Sequence, residues 1–234
     1  MSVKFVVTGT GRSGTGFAAA LFTAAGLPCG HEAVFREKPG LLDRGAPRKG
    51  AKARAKEPIG RLREDLRRRR TMLQGDASWM AAPRLRRFRG VSFLQLRHPL
   101  LVVRSFVGTR FFSDSTQHRA QRSFAAAYMQ ITGDDVFDAM RWWVVWNELG
   151  AAWATNVYRI EALDQQVFAG MLGLLNARAP IARAERAFAE VPSDVNSSQR
   201  RGDRAGNLNW SDLPSGKEKK DLEISARRFG YEIS

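Results

Sequence analysis

Near its start the chain reads VKFVVTGTGRSGTGFAAALFTAAG, residues 3–26. Residues 3–8 are mostly β-branched or aromatic and glycine follows them, which is typical of a buried strand. Residues 17–25 are rich in Ala and Leu and are predicted to be helical. A glycine-rich turn joins the two, so the segment predicts a strand, a tight turn and a helix in immediate succession.

The turn between strand and helix has the composition of a phosphate-binding loop. Glycine lets backbone N–H groups approach an anion, and the amino terminus of the helix adds about half a positive charge. Arg12 would add a fixed charge with bidentate geometry. A turn in which the glycines serve packing alone is the alternative. The candidate binding residues of the turn are Gly11, Arg12, Ser13, Gly14, Thr15, Gly16 and Phe17.

Several kinds of nucleotide site share this strand–turn–helix outline. Gly9, Gly11 and Gly14 fit the GxGxxG pattern of dinucleotide-binding domains, which also needs an acidic residue about 20 positions later. Glu32 has that spacing, but the LPCG segment before it makes a poor strand. A Walker loop needs Lys directly after its last glycine, where this chain has Thr15. The loop alone leaves the nucleotide undecided.

The length of 234 residues and the hydrophobic fraction of 44% suit one α/β domain with a sizeable core. A single cysteine, Cys29, allows no internal disulfide and fits a reducing compartment. No apolar run reaches the roughly 20 residues that a membrane-spanning helix needs. Arg12 and the glycines around it interrupt any apolar run typical of a signal peptide. We therefore expect a cytoplasmic protein, and its wealth of Ala and Arg favours a bacterial source.

The net charge of +15 bears on the partners of the protein more than on its fold. Residues 36–70 alone hold 14 Lys or Arg against 5 Asp or Glu, and we interpret them as a basic insertion of loop and helix. This insertion either attracts an anionic substrate or forms a solvated surface. The chain has no helix-turn-helix, zinc or RNA-recognition signature, so no specific nucleic-acid partner is predicted. A non-enzymatic nucleic-acid binder stays an alternative.

A second strand and helix follow in VSFLQLRHPLLVVRSF, residues 91–106. Arg97 ends the strand, and Pro99 suits the first turn of the helix. Ser105 lies in the second turn of that helix. Because open α/β sheets bind ligands at the carboxyl ends of their strands, Arg97 and Ser105 are predicted to face one anion together.

His31 and Glu32 are candidates for a general base. They follow the first helix in what we interpret as a loop at the mouth of the turn. The alternative for Glu32 is a capping or ion-pairing role. A further strand is predicted over residues 71–75, ending at Asp76.

Two further predictions concern the middle of the chain. Residues 110–122 are interpreted as a loop or lid. A helix over 134–152 carries Trp142, Trp146 and Trp153 near one face, which suits a core or an acceptor groove.

The last part of the chain combines a polar loop with a helix. Residues 193–209 have loop composition, and Arg201 within them could close over a phosphate. Ser215 and Glu218 have the spacing of a capping box for the final helix.

Several motifs together resemble the sulfotransferases that use 3′-phosphoadenylyl sulfate (PAPS). TGTGRSGTGF at 8–17 is similar to the 5′-phosphosulfate loop of that family. LRHPLLVVRS at 96–105 is similar to its 3′-phosphate motif, with Arg97 and Ser105 at the family spacing. Weaker resemblances are YRIEAL at 158–163, WSDLP at 210–214 and FGY at 229–231.

The resemblance implies a three-layer α/β fold with a central, mostly parallel sheet and a P-loop nucleotide site, in one domain over residues 1–234. It implies PAPS as the donor, 3′,5′-ADP as the product and no required metal. The acceptor would be a hydroxyl on an anionic or a sugar- or phenol-like molecule. A P-loop small-molecule kinase that uses ATP is the second enzymatic interpretation.

Within the family, the segment CGHE at 29–32 resembles the base segment of tyrosylprotein sulfotransferases. This implies Glu32 as the general base, with His31 as the other candidate. Gly16 replaces a second hydroxyl residue of the family loop, and His98 replaces the usual Asp before proline. The chain shows neither the membrane anchor nor the disulfides of those enzymes, so a protein-tyrosine substrate is not implied.

The implied mechanism is in-line transfer of a sulfuryl group to an acceptor hydroxyl that Glu32 deprotonates. Arg12 and Thr15 would hold the 5′-phosphate, and Arg97 and Ser105 the 3′-phosphate. Catalysis would then rest on positioning and electrostatics.

Overall fold

A computed structural model describes residues 3–35, 73–113, 118–192 and 208–233. The predicted basic insertion at 36–70 and Arg201 lie outside these ranges. No helix within them is long and apolar enough to cross a membrane.

Five strands of the described chain form one sheet, and every neighbouring pair is parallel. The order across the sheet is β2-β3-β1-β4-β5, so the first strand lies in the centre. The predicted α/β class with a parallel sheet is confirmed. The strands are β1 (Phe5–Thr8), β2 (Cys29–His31), β3 (Gly75–Ala77), β4 (Val91–Leu96) and β5 (Asn156–Arg159).

Helices cover both faces of this sheet. The described ranges contain α1 (Thr15–Ala24), α2 (Pro99–Gly108), α3 (Arg119–Ala126), α4 (Asp135–Ala151), α5 (Gln165–Leu174), α6 (Pro180–Glu190) and α7 (Lys217–Arg228). Short 3₁₀ helices span Trp79–Arg87, Ile160–Ala162 and Trp210–Asp212.

Side-chain alternation along the strands separates two main cores. Leu94 and Leu96 of β4 face a cluster built with α2, α4 and α7, which contains Trp142, Trp143 and Trp146. Phe93, directly before Leu94, faces a second cluster built with α1, α5 and α6. Because successive strand residues point to opposite faces, the two clusters make a three-layer arrangement of helix, sheet and helix.

The edge strand β2 differs from the loop predicted for residues 29–31. It pairs with β3 in parallel, with Gly30 beside Asp76. A side chain at Gly30 would place its Cβ 2.7 Å from Asp76 Oδ1, so glycine permits the close pairing. This strand depends on a tertiary neighbour and not on β propensity, which explains why its composition did not indicate it.

Residues 110–122 also differ from the predicted lid. Phe111 and Phe112 are buried in the tryptophan-containing core, and α3 begins at Arg119. The N–H groups of Phe112 and Ser113 donate to Asp135 Oδ1, at 2.7 and 2.9 Å. The described part of this segment is therefore packed against α4.

Two expectations for helical residues were wrong. Trp153 does not share the buried face of Trp142 and Trp146, because α4 ends at Ala151 and Trp153 is 48% exposed. The predicted capping box at Ser215 and Glu218 does not form, since Gly216 caps α7 without a side-chain bond. Glu218 instead accepts from Arg141 Nη2 at 2.8 Å.

Candidate functional site

A cavity of about 1070 Å³ opens at the carboxyl ends of β1, β2, β4 and β5. Such an edge is where open parallel sheets bind ligands. Of the predicted site residues that the structure describes, only Ser13, which is fully buried, is absent from its walls. The predicted residues that line it are Gly11, Arg12, Gly14, Thr15, Gly16, Phe17, His31, Glu32, Arg97 and Ser105.

The loop after β1 is tightly wound. Gly11, Arg12 and Gly14 have φ of 72°, 56° and 95°, in the left-handed region that favours glycine. A Cβ at Gly14 would lie 2.5 Å from Ile160 Cδ1, and one at Gly9 would lie 2.5 Å from the Gln95 carbonyl oxygen. The glycines therefore serve both conformation and close approach.

The backbone donors of this loop are available for an anion. Within the described part of the chain, the N–H groups of residues 14–17 donate to no acceptor, because α1 begins at Thr15. Consecutive unsatisfied N–H groups at a helix start form an anion-binding concavity. This arrangement fits a phosphate or sulfate group.

Carbonyl groups of the same loop are held by donors from elsewhere in the fold. Trp142 Nε1 donates to the Thr10 carbonyl at 2.6 Å, and Gln95 Nε2 donates to the Ser13 carbonyl at 2.5 Å. Tyr158 Oη in turn donates to Gln95 Oε1 at 2.5 Å. The loop is thus fixed by a buried polar chain that begins on β5.

Arg12, Arg97 and Ser105 form one cluster on the cavity wall. Arg97 Nη1 donates to the Arg12 carbonyl at 2.7 Å, and Arg12 Nε donates to Ser105 Oγ at 2.8 Å. Ser105 accepts in this bond, so its hydroxyl hydrogen can be donated to a ligand. Two guanidinium groups and a hydroxyl donor therefore converge from β1, β4 and α2.

His31 and Glu32 approach the loop from the other side of β1. His31 Nε2 lies 3.2 Å from Thr15 Oγ1. Glu32 has a φ of 53°, and its N–H donates to the Ala77 carbonyl at 3.1 Å. Arg12 and Glu32, the predicted cation and the predicted base, thus both adopt a backbone conformation that is uncommon for residues other than glycine.

Asp76 holds the turn that carries Glu32. It is fully buried and accepts from the N–H groups of Ala33, Val34 and Phe35 at 2.9, 3.1 and 2.9 Å. Ser78 Oγ adds a bond to the Phe35 carbonyl at 2.5 Å. Sequence reasoning did not assign a role to Asp76; the available signal was a carboxylate at the end of a strand with no basic neighbour.

Aromatic side chains form the remaining wall. Trp79 is 8% exposed, and its ring lies 5.6 Å from that of Trp142 and 5.7 Å from that of Trp146. Phe111 and His118 face the same cavity with their ring centroids 5.0 Å apart. Trp79 is therefore mainly a core residue, with one edge at the cavity.

The carboxyl-terminal segment supports the corner that follows Arg97. Glu161 accepts from the His98 N–H at 2.7 Å and from Tyr231 Oη at 3.3 Å. The His98 and Tyr231 rings meet edge to face at 5.3 Å. Burial lowers the pKa of His98 against the opposing effect of Glu161, so His98 adds no cation at neutral pH.

Cysteine chemistry is not supported at this site. Burial, followed by the nearby Asp76 carboxylate, raises the pKa of the Cys29 thiol, so the thiol stays protonated at neutral pH. No group of three or more His, Cys, Asp or Glu within the described ranges is placed to hold a metal ion.

Comparisons of the chain with protein-family models, with curated proteins and with solved structures found no match.

Proposed function

We propose that the protein is a PAPS-dependent sulfotransferase that moves a sulfuryl group to an acceptor hydroxyl. The observation that carries this proposal is the cluster of Arg12, Arg97 and Ser105. These residues come from two motifs about 90 positions apart, and hydrogen bonds of 2.7 and 2.8 Å join them beside the loop. A donor with both a 5′- and a 3′-phosphate would use this arrangement fully.

The described residues suit such a donor. The N–H groups of residues 14–17, with Arg12 and Thr15, would hold the 5′-phosphosulfate, while Arg97 and Ser105 would hold the 3′-phosphate. Arg12 joins the two positions because it belongs to the loop and also contacts Ser105. When bound, the donor supplies an activated sulfuryl group and departs as 3′,5′-ADP.

Glu32 is the proposed general base, which takes the proton of the acceptor hydroxyl. A carboxylate can serve as a general base, and Glu32 lines the cavity beside the loop. His31 is the second candidate, but its Nε2 is in contact with Thr15 Oγ1. This contact favours a role for His31 in positioning the loop.

The acceptor is proposed to carry a ring, as a sugar or phenol does. Trp79, Phe111 and Trp142 supply an aromatic wall to the same cavity. The cavity lining also includes Glu161 and Glu190, which do not favour a strongly anionic acceptor.

The test is calorimetric titration with 3′,5′-ADP. The comparison ligands are 5′-ADP, NAD and ATP, and ATP is titrated both with and without Mg²⁺. We expect micromolar binding of 3′,5′-ADP without metal, and weaker binding of 5′-ADP. Preference for Mg-ATP would support the kinase interpretation, because the same unsatisfied N–H groups suit ATP phosphates. Preference for NAD would support a dinucleotide-binding domain. Either result would overturn the proposal.

A further inference from the structure

A second charged region lies at the opposite end of the sheet. Arg84, Arg86, Arg87 and Arg89 are all exposed and precede β4, whose first residue is Val91. Lys4 is exposed just before β1, and its carbonyl accepts from the Val91 N–H at 3.1 Å. We call these five cations, together with Trp153, the basic face.

Among the residues that the structure describes, acidic side chains do not neutralise the basic face. Residues 77–113 contain seven arginines and no Asp or Glu. Asp76, just before them, is buried and occupied by three backbone N–H groups. Glu148 binds Arg228 and Ser225 instead. Within the described ranges, no carboxylate forms an ion pair with any cation of the basic face.

Trp153 gives this face an apolar component. It is 48% exposed, whereas the other five tryptophans are at most 8% exposed. The guanidinium of Arg86 lies 5.7 Å from the centroid of its ring, and Ser92 Oγ donates to its carbonyl at 3.5 Å. An exposed indole beside arginines combines an amphipathic ring with phosphate-binding cations.

We propose that the basic face docks the protein on an anionic phospholipid surface. Tryptophan favours the headgroup level of a bilayer, and clustered Lys and Arg residues bind anionic headgroups. A nucleic acid would use the same cations but would find only one half-exposed indole for stacking, already in contact with Arg86. The site at the carboxyl ends of the strands would stay open to solution, so docking is independent of the proposed transfer activity.

The test uses vesicles of phosphatidylcholine with and without phosphatidylglycerol, and follows tryptophan fluorescence. We expect a blue shift, and quenching by brominated lipid, only with the anionic vesicles and only at low salt. The Trp153→Phe variant should lose most of this signal, because the other indoles are buried. If the unmodified protein shows no blue shift and no quenching with anionic vesicles, the proposal is overturned.

A variant with four substitutions then tests where the protein contacts the vesicle. Replacing Arg84, Arg86, Arg87 and Arg89 with Gln should weaken vesicle binding by about tenfold or more. The control replaces four exposed cations of other surfaces with Gln, namely Arg178, Arg186, Lys217 and Arg227, for the same change in net charge.

Equal losses in the two variants would mean that net charge alone drives binding and would overturn the proposal. So would full retention by the first variant, which would place the contact elsewhere in the chain. Arginine-dependent binding of an oligonucleotide without binding of vesicles would assign the face to nucleic acid. Circular dichroism and 3′,5′-ADP titration show that the variants are folded, since the replaced residues lie outside the cavity.

Discussion

The two halves of the candidate site are held by different kinds of group. On the β1 and β4 side, side-chain N–H donors of Trp142, Gln95 and Arg97 fix the loop carbonyls. On the β2 and β3 side, the buried Asp76 carboxylate fixes the turn that carries Glu32. Under the proposed function, the first half would bind the anion and the second half would position the base. Substitutions should therefore separate binding from turnover.

The largest expected effect is on the base. Glu32→Gln should lower the transfer rate by about 10²–10⁴-fold, because the amide cannot take a proton, while 3′,5′-ADP binding stays unchanged. Stopped-time product assays and calorimetry measure the two quantities. Glu190→Gln is the matched control in the same cavity and should keep its turnover. Full activity of the Glu32→Gln variant would mean that a group other than Glu32 is the general base.

Asp76→Asn should destabilise the protein by about 2–4 kcal/mol, because three N–H groups lose a charged acceptor in a buried position. Denaturant unfolding measures this loss. Turnover should fall together with the stability, whereas the protein that remains folded should bind 3′,5′-ADP normally. Asp164→Asn is the control, since that carboxylate caps α5 at an exposed position and should cost about 1 kcal/mol or less. Equal losses in the two variants would contradict a special role for Asp76.

Arg97→Ala tests the binding half. The substitution should weaken the binding of 3′,5′-ADP by about 10- to 100-fold, which is the effect of removing a hydrogen bond to a charged group. The loss for 5′-ADP should be clearly smaller, although Arg97 also contacts the Arg12 carbonyl. The ratio of the two losses is the decisive quantity. A ratio of one would mean that Arg97 only shapes the loop.

The smallest expected effect comes from the hydrogen bond between Tyr158 and Gln95, which supports the loop. Tyr158→Phe removes the donor to Gln95 Oε1 and should cost about 1 kcal/mol of stability, with a several-fold weakening of nucleotide binding. Tyr128→Phe is the control, because that tyrosine is 40% exposed and does not bond to Gln95. If binding is equally strong in both variants, the polar chain from β5 does not position the loop.

The parts predicted well are those specified by local pattern. Residues 91–96 form β4 as expected, and the helix predicted over 134–152 corresponds to α4. Hydrophobic periodicity and helix-start residues are signals within one element, so predictions from them do not depend on how the elements pack. Positions that depend on a neighbour were missed, such as the edge strand β2 and the exposure of Trp153 beyond the end of α4.

By itself the sequence determined the α/β class and the strand–loop–helix start, because alternation, glycine and helix propensity act over a few residues. It also indicated Arg12, Arg97, Ser105 and Glu32 as candidates. Only the tertiary structure decided that Arg12 meets Ser105 across 93 positions and that Trp142 reaches Thr10 across 132. Hydrogen bonds of that kind depend on strand order and helix packing, which no local pattern specifies.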